Sequence, residues 1–167
     1  RKRSLFFMGN DVRVGELDLV PDLAIICASL DRVPSIIEQL GVRGTRAVIV
    51  GPWMWHKMRS GAIAKAGKAI LKAARPHLMR ILGPGSGGLV VPARGLNASA
   101  APVPVAAGKI ALVAQSTAVT AAVLDRAASK GIGFSTVLHL GAGLDVDLAD
   151  VLDWLAADPD TKSIVVQ

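Results

Sequence analysis

Tyrosine is absent from the 167-residue chain, and aromatic residues as a whole make up only 4%. That scarcity argues against an aromatic-rich all-β domain. Cysteine is nearly absent too: Cys27 stands alone, so no internal disulfide can form, and a reducing compartment, the cytoplasm, is expected. Cys27 lies inside the apolar run LAIICA and reads as a core residue whose burial raises its pKa. No uninterrupted apolar run approaches the roughly 20 residues of a membrane span, and the stretch after Arg1-Lys2-Arg3 is too short for a signal peptide. An initiator methionine is missing as well. Leu5 to Met8 reads as a fold entered part-way, so sequence ahead of Arg1 is expected.

Acidic residues are missing from the middle of the chain. Between Glu38 and Asp125 there is no Asp or Glu, while the same interval carries eleven Lys and Arg. From Asp145 to Asp160 the sign reverses, with Asp145, Asp147, Asp150, Asp153, Asp158 and Asp160 opposed by no base. A one-signed middle fits an anionic partner: a phosphate-bearing cofactor, a nucleic acid or an acidic protein face.

What is abundant is Ala, Gly, Val and Leu, within 51% hydrophobic residues. This is the composition of helices packed closely on parallel sheets, so the class is α/β, and the length suits two small domains. The apolar run from Asp22 to Ala28 reads as a strand, followed by a helix opened by Asp31 and Pro34 and stopped at Gly41. Arg46 to Val50 is the next strand, which makes a βαβ unit with a right-handed crossover. A helix from Ser60 to Arg75 places Ile63, Ile70 and Ala74 on one face and Lys65, Lys68, Lys72 and Arg75 on another. Pro76 ends it, and Met79 to Leu82 is a short strand.

Between Val91 and Gly108, Pro92, Pro102 and Pro104 interrupt the chain, so no regular element is expected to continue through it. This predicts a first domain over 1–91, a linker over 92–108 and a second domain over 109–167. In the second, strands at 109–113, 135–140 and 163–166 alternate with helices at 117–130 and 148–157, the latter capped by Asp147.

Ligands of open parallel sheets bind beyond the carboxyl ends of strands, which directs attention to three loops. Gly83-Pro-Gly-Ser-Gly-Gly88 could present backbone N–H groups to an anion or serve as a plain turn between domains. Ala114-Gln-Ser-Thr-Ala118 leads into a helix N-terminus, where Ser116 is either an anion contact or a simple N-cap. Ala28-Ser-Leu30 follows the first strong strand. His56, His77 and His139 have neither metal-ligand spacing nor a triad arrangement, so neither chemistry is expected. Trp53, Trp55, His56 and Met58, beside Lys57 and Arg59, read equally as a base-stacking platform or as a loop packed on a neighbour.

Taken in order, Gly83-Pro84, Gly87-Gly-Leu89, Gly95-Leu-Asn-Ala98, Ala114-Gln-Ser116, Leu124-Asp125, Gly131-Ile-Gly-Phe-Ser135, Asp145-Val-Asp147 and Asp150-Val-Leu-Asp153 form a series. It resembles the NDP-forming acyl-CoA synthetases, relatives of the succinyl-CoA synthetase alpha subunit. The bacterial branch often fused to a GNAT protein acetyltransferase is most similar. The resemblance implies a Rossmann-like CoA-binding domain, incomplete at its start, followed by a flavodoxin-like ligase domain. It implies conversion of acyl-CoA, ADP and phosphate to acid, CoA and ATP through a phosphorylated histidine. Coenzyme A would lie against Ala28, Ser29, Gly51 and Pro52. The phosphate would be cradled by two helix N-termini, at Gly85, Ser86 and Gly87 and at Gln115, Ser116 and Thr117.

The sequence departs from the family at Gly85-Ser86, where the family has Asn and usually Cys after Gly-Pro, and at Thr117, where it has Gly. A Thr side chain there would crowd a phosphate. The phosphorylated histidine lies in the family beyond Gln167, and ADP, ATP and Mg would enter only through an ATP-grasp domain or subunit outside these residues. No catalytic residue is therefore expected in the chain itself. A non-catalytic CoA-sensing or interaction module, such as the regulatory region of a GNAT-fused acetyltransferase, is the rival reading. An exposed sheet edge would invite self-association into a homo-oligomer.

Overall fold

The computed structural model describes residues 5–8, 13–51, 60–101 and 103–167. The chain divides into two compact units, 1–85 with 143–146 and 86–142 with 147–167.

In the first unit, strands β1 (Leu5–Met8), β2 (Leu23–Ile26), β3 (Ala47–Val50) and β4 (Arg80–Leu82) lie side by side in sequence order, all parallel. Helix α1 (Val33–Arg43) joins β2 to β3, and α2 (Ser60–Ala74) lies between β3 and β4. Parallel strands buried on both faces need near-continuous apolar sequence, and Leu-Ala-Ile-Ile and Ala-Val-Ile-Val supply it. Ile26, Val48, Val50 and Ile81 pack with Ile37 and Leu40 of α1 and Ile70 of α2. Each such side chain contributes about 1.5–3 kcal/mol on burial. Lys65, Lys68, Lys72 and Arg75 remain exposed, as their spacing requires.

Helix α1 does not stop at Gly41. It continues to Gly44, whose φ of 101° turns the chain out of the helix. Gly41 instead makes room for His77: a Cβ on residue 41 would come within 2.3 Å of the His77 ring. Residues 143–146 finish the sheet. Leu144 N–H donates to Gly83 O at 3.1 Å, and Val146 N–H donates to Ile81 O at 3.1 Å. The Asp145 carboxylate accepts from Ile81 N–H at 2.8 Å and from Arg80 Nε at 2.9 Å. The β4 edge is thus paired rather than left open.

The second unit holds β5 (Gly88–Val91), β6 (Leu96–Ser99), β7 (Ala107–Ala114), α3 (Thr117–Ser129), β8 (Phe134–His139), α4 (Leu148–Ala156) and β9 (Ser163–Val166). The strand order is β6-β5-β8-β7-β9; β7 is parallel to both β8 and β9, whereas β5 is antiparallel to β6 and β8. Strand β6 lies inside the stretch between Val91 and Gly108, which no element runs through unbroken. Pro92 opens a single 3-10 turn, where its fixed φ is acceptable, and Gly95 at φ 63° sends the chain back as an edge strand. Both helices begin on side-chain caps. Ser116 Oγ accepts from Val119 N–H at 3.3 Å, and Asp147 accepts from Asp150 N–H at 3.0 Å while the Asp150 carboxylate accepts from Asp147 N–H at 3.4 Å. Among the described residues no helix is long and apolar enough to cross a membrane.

Candidate functional site

Two places hold the residues singled out above. The first is the carboxyl end of the parallel sheet in the first unit. There β2 runs out into Cys27, Ala28 and Ser29, and β3 runs out into Gly51. Gly51 N–H donates to Ile26 O at 2.9 Å, which holds the two strand ends together. A side chain at 51 would meet Cys27 Sγ at 3.1 Å and the Ile26 carbonyl at 3.4 Å, so only glycine fits without displacing the thiol. Ala28 is buried and Ser29 half-buried, and Ser29 O accepts from Arg32 N–H at 3.0 Å just ahead of α1. Arg32, the N-cap of α1, makes no side-chain cap to the helix, whose positive dipole end lies at the strand ends. Cys27 is half-buried rather than sealed in the core, and burial pushes its thiol pKa up. Small side chains at a helix N-terminus suit a phosphate-bearing ligand such as coenzyme A. Pro52, Trp53, Trp55, His56, Lys57, Met58 and Arg59 lie outside the described residues.

The second place is the start of α3. Gly87 and Thr117 meet here, for a Cβ on residue 87 would lie 3.3 Å from Thr117 Cγ2 and 3.0 Å from His139 Cγ. Gly85 belongs to the first unit, so of Gly85, Ser86 and Gly87 only the last two share a unit with Gln115, Ser116 and Thr117. The loop also leads into β5, not into a helix. The expectation of two helix N-termini is therefore corrected to one. Leu89-Val-Val91 favours a strand, and Gly88, at φ 100°, lets β5 approach β6 so closely that a Cβ would fall 2.1 Å from Ala98 O.

The amides expected to face an anion are largely engaged. Gly88 N–H donates to Ser86 Oγ at 2.9 Å, and Ser86 Oγ donates in turn to the His139 carbonyl. Gln115 N–H donates to Gln167 O at 3.2 Å and Ser116 N–H to Gln167 Oε1 at 3.3 Å. The first helical amides, those of Thr117 and Ala118, precede any intrahelical acceptor.

Sequence reasoning set His139 aside, and the structure places it at the centre of this site. It closes β8, is 5% exposed, and accepts Gly87 N–H on Nδ1 at 2.9 Å. Burial lowers its pKa, partly offset by the nearby carbonyls of His139 and Gln115. A neutral imidazole with a filled Nδ1 carries its proton on Nε2, and Nε2 is buried without a partner. His139, Gly87, Thr117 and Thr120 border a cavity of about 40 Å³. The missed signal was position: a polar ring at the last residue of a parallel strand, on the side where ligands gather. Among the described residues no cluster of His, Cys, Asp and Glu could hold a metal ion.

Residues 107–167 match a family described as a succinyl-CoA ligase like flavodoxin domain. Across 146 residues the chain is 32% identical to the acetate–CoA ligase [ADP-forming] I subunit alpha of Pyrococcus furiosus, covering 87% of this chain and 31% of that subunit. Over most of its length the chain is similar to ADP-forming acyl-CoA synthetases. The acetate–CoA ligase [ADP-forming] of Methanocaldococcus jannaschii is 31% identical over 145 residues, 87% of this chain and 20% of the enzyme. The dinucleotide forming acetyl-coenzyme A synthetase 1 of Ca. Korarchaeum cryptofilum, solved with phosphate and ADP, superposes with a TM-score of 0.82 at 27% identity. That superposition covers 92% of this chain and 32% of the archaeal one. The chain thus spans about a third or less of the synthetases it matches.

Proposed function

We propose that the chain is the CoA-binding and ligase-like portion of an ADP-forming acyl-CoA synthetase. The observation that carries the reading is the reach of the similarity, which extends over 87% of the chain and so takes in both units rather than a single mobile domain. In this reading the first unit takes coenzyme A at Ala28, Ser29, Gly51 and Pro52, with α1 aimed at its phosphates. The second unit handles phosphate near Ser116 and Thr117. The complete reaction, acyl-CoA with ADP and phosphate giving acid, CoA and ATP, would need the phosphorylated histidine and an ATP-grasp partner, neither of which these residues contain. ADP, ATP and Mg belong to that partner.

A second reading has its own support. With Gly88 N–H bonded to Ser86 and Thr117 Cγ2 close against Gly87, part of the phosphate cradle is filled by protein. This favours a chain that retained the scaffold to sense CoA or acyl-CoA, as the regulatory region of a GNAT-fused protein acetyltransferase would.

Calorimetric titration of the purified chain with CoA, acetyl-CoA and dephospho-CoA tests the shared core of both readings. Micromolar binding of CoA is the expected outcome, with dephospho-CoA weaker because the 3′-phosphate is lost. No heat at millimolar CoA would contradict it. Adding ADP and phosphate then separates the two, because a working portion would couple phosphate to CoA binding and a sensor would not.

A further inference from the structure

We infer that the basic face of α2 and the acidic face of α4 are the two halves of one contact, through which a second copy of this chain docks its α4 on α2 of the first. The contact goes beyond the CoA reading and does not depend on it.

Charge is sorted by helix. Helix α2 holds Lys65, Lys68 and Lys72 and no acid, whereas α4 holds Asp150 and Asp153 and no base. A face that is merely solvated gains from opposite charges three or four residues apart on one helix, and neither helix has such a pair. At that spacing like charges repel instead: Lys65 with Lys68, Lys68 with Lys72, and Asp150 with Asp153. A surface of opposite sign relieves both helices, and this chain carries each helix's complement.

The helical period also concentrates these residues away from the core. Gly67, Ile70 and Ala74 are the buried side of α2, and Lys65, Lys68, Ala69 and Lys72 are exposed on the other. On α4, Val151 and Leu155 are buried, while Asp150, Asp153 and Trp154 are exposed. Trp154 is 46% exposed, and it is what points to a protein rather than to a small anion or cation. A large, half-solvated indole beside two carboxylates is the anchor of a protein interface. Ala69 leaves a gap among the three lysines, where the ring can rest on their methylene stems with ammonium groups near its face and near the carboxylates. The residues of both faces are exposed in a single chain, which leaves them to a second one. The contact is heterologous, one helix type against the other. Exposed ion pairs contribute little each, so the association is weak and salt-sensitive.

Sedimentation velocity on the 167-residue chain is the test. The expected result is a mass that grows with concentration at about 50 mM salt and returns to monomer at about 500 mM, where screening is short-ranged. Lys65→Glu, Lys68→Glu and Lys72→Glu together give a chain with two acidic faces. Asp150→Lys with Asp153→Lys gives one with two basic faces. Each should be monomeric alone, and the two should associate when mixed, because the intact α4 of the first meets the intact α2 of the second. Asp150 also closes the cap of α4, so Asp153→Lys with Trp154→Ala, both outside the capping box, repeats the test with a loss of at least about tenfold expected. A wild-type chain that stays monomeric at about 1 mM and low salt would overturn the inference. Association that survives both reversals, or reversed chains that stay apart when mixed, would overturn it as well.

Discussion

At the residue scale, His139 and Gly41 set measurable limits. Burial holds the folded-state pKa of His139 below its ordinary value of 6.5. Below about pH 6.5 the unfolded chain binds a proton that the folded chain resists, so stability falls as pH drops through this window and is regained on the alkaline side. Protonation would also force Nδ1 to give up Gly87. Urea unfolding from pH 7.5 to 5 should show this loss, and His139→Asn should flatten it; an unchanged slope in that variant would assign the titration elsewhere. Gly41 gives a second prediction. Alanine normally improves a helix interior by about 1 kcal/mol, but the added Cβ would lie 2.9 Å from His77 Cβ as well as against the ring, so a rotamer change cannot relieve it. Gly41→Ala should therefore destabilise the first unit by about 1–3 kcal/mol in a thermal or denaturant melt. His139 escaped sequence reasoning because histidines are sought in clusters, while its role depends on a backbone amide 52 residues away in the sequence.

At the element scale, helices were the most legible feature. Ser116 and Asp147 announce α3 and α4, because an oxygen side chain before an apolar periodic run is what orphan amides require. Replacing Asp147 by Ala would leave Asp150 N–H without its acceptor and break the reciprocal bond, so a loss of about 0.5–2 kcal/mol is expected on thermal unfolding. Strand β6 was illegible for the converse reason: of Leu96-Asn-Ala-Ser99 only Ala98 is fully buried, too little apolar content to signal an edge strand between prolines. The Gly-rich loop misled differently. Its glycines suit an anion nest and a tight strand entry alike, and local sequence cannot show that Gly88 must clear the Ala98 carbonyl.

At the scale of the whole chain, parallel sheets joined by short crossovers were readable from composition and from the rhythm of Val- and Ile-rich runs. What was not readable is the return of residues 143–146 to the edge of the first sheet, because Asp145 finds Arg80 and Ile81 some 65 and 64 positions away. The charge asymmetry has a structural counterpart in the exposed Lys65, Lys68, Lys72 and Arg75 of α2. If that face attracts anions only by charge, replacing its three lysines by Gln should reduce the salt dependence of CoA binding yet preserve the site, so that affinity at high salt changes little. The central claim, a CoA site at the strand ends of the first unit, is tested most directly by backbone amide mapping of the chain saturated with CoA. The account predicts shifts or protection concentrated at Cys27 to Ser29 and at Gly51. Changes confined to the basic face of α2, with the strand ends untouched, would contradict it.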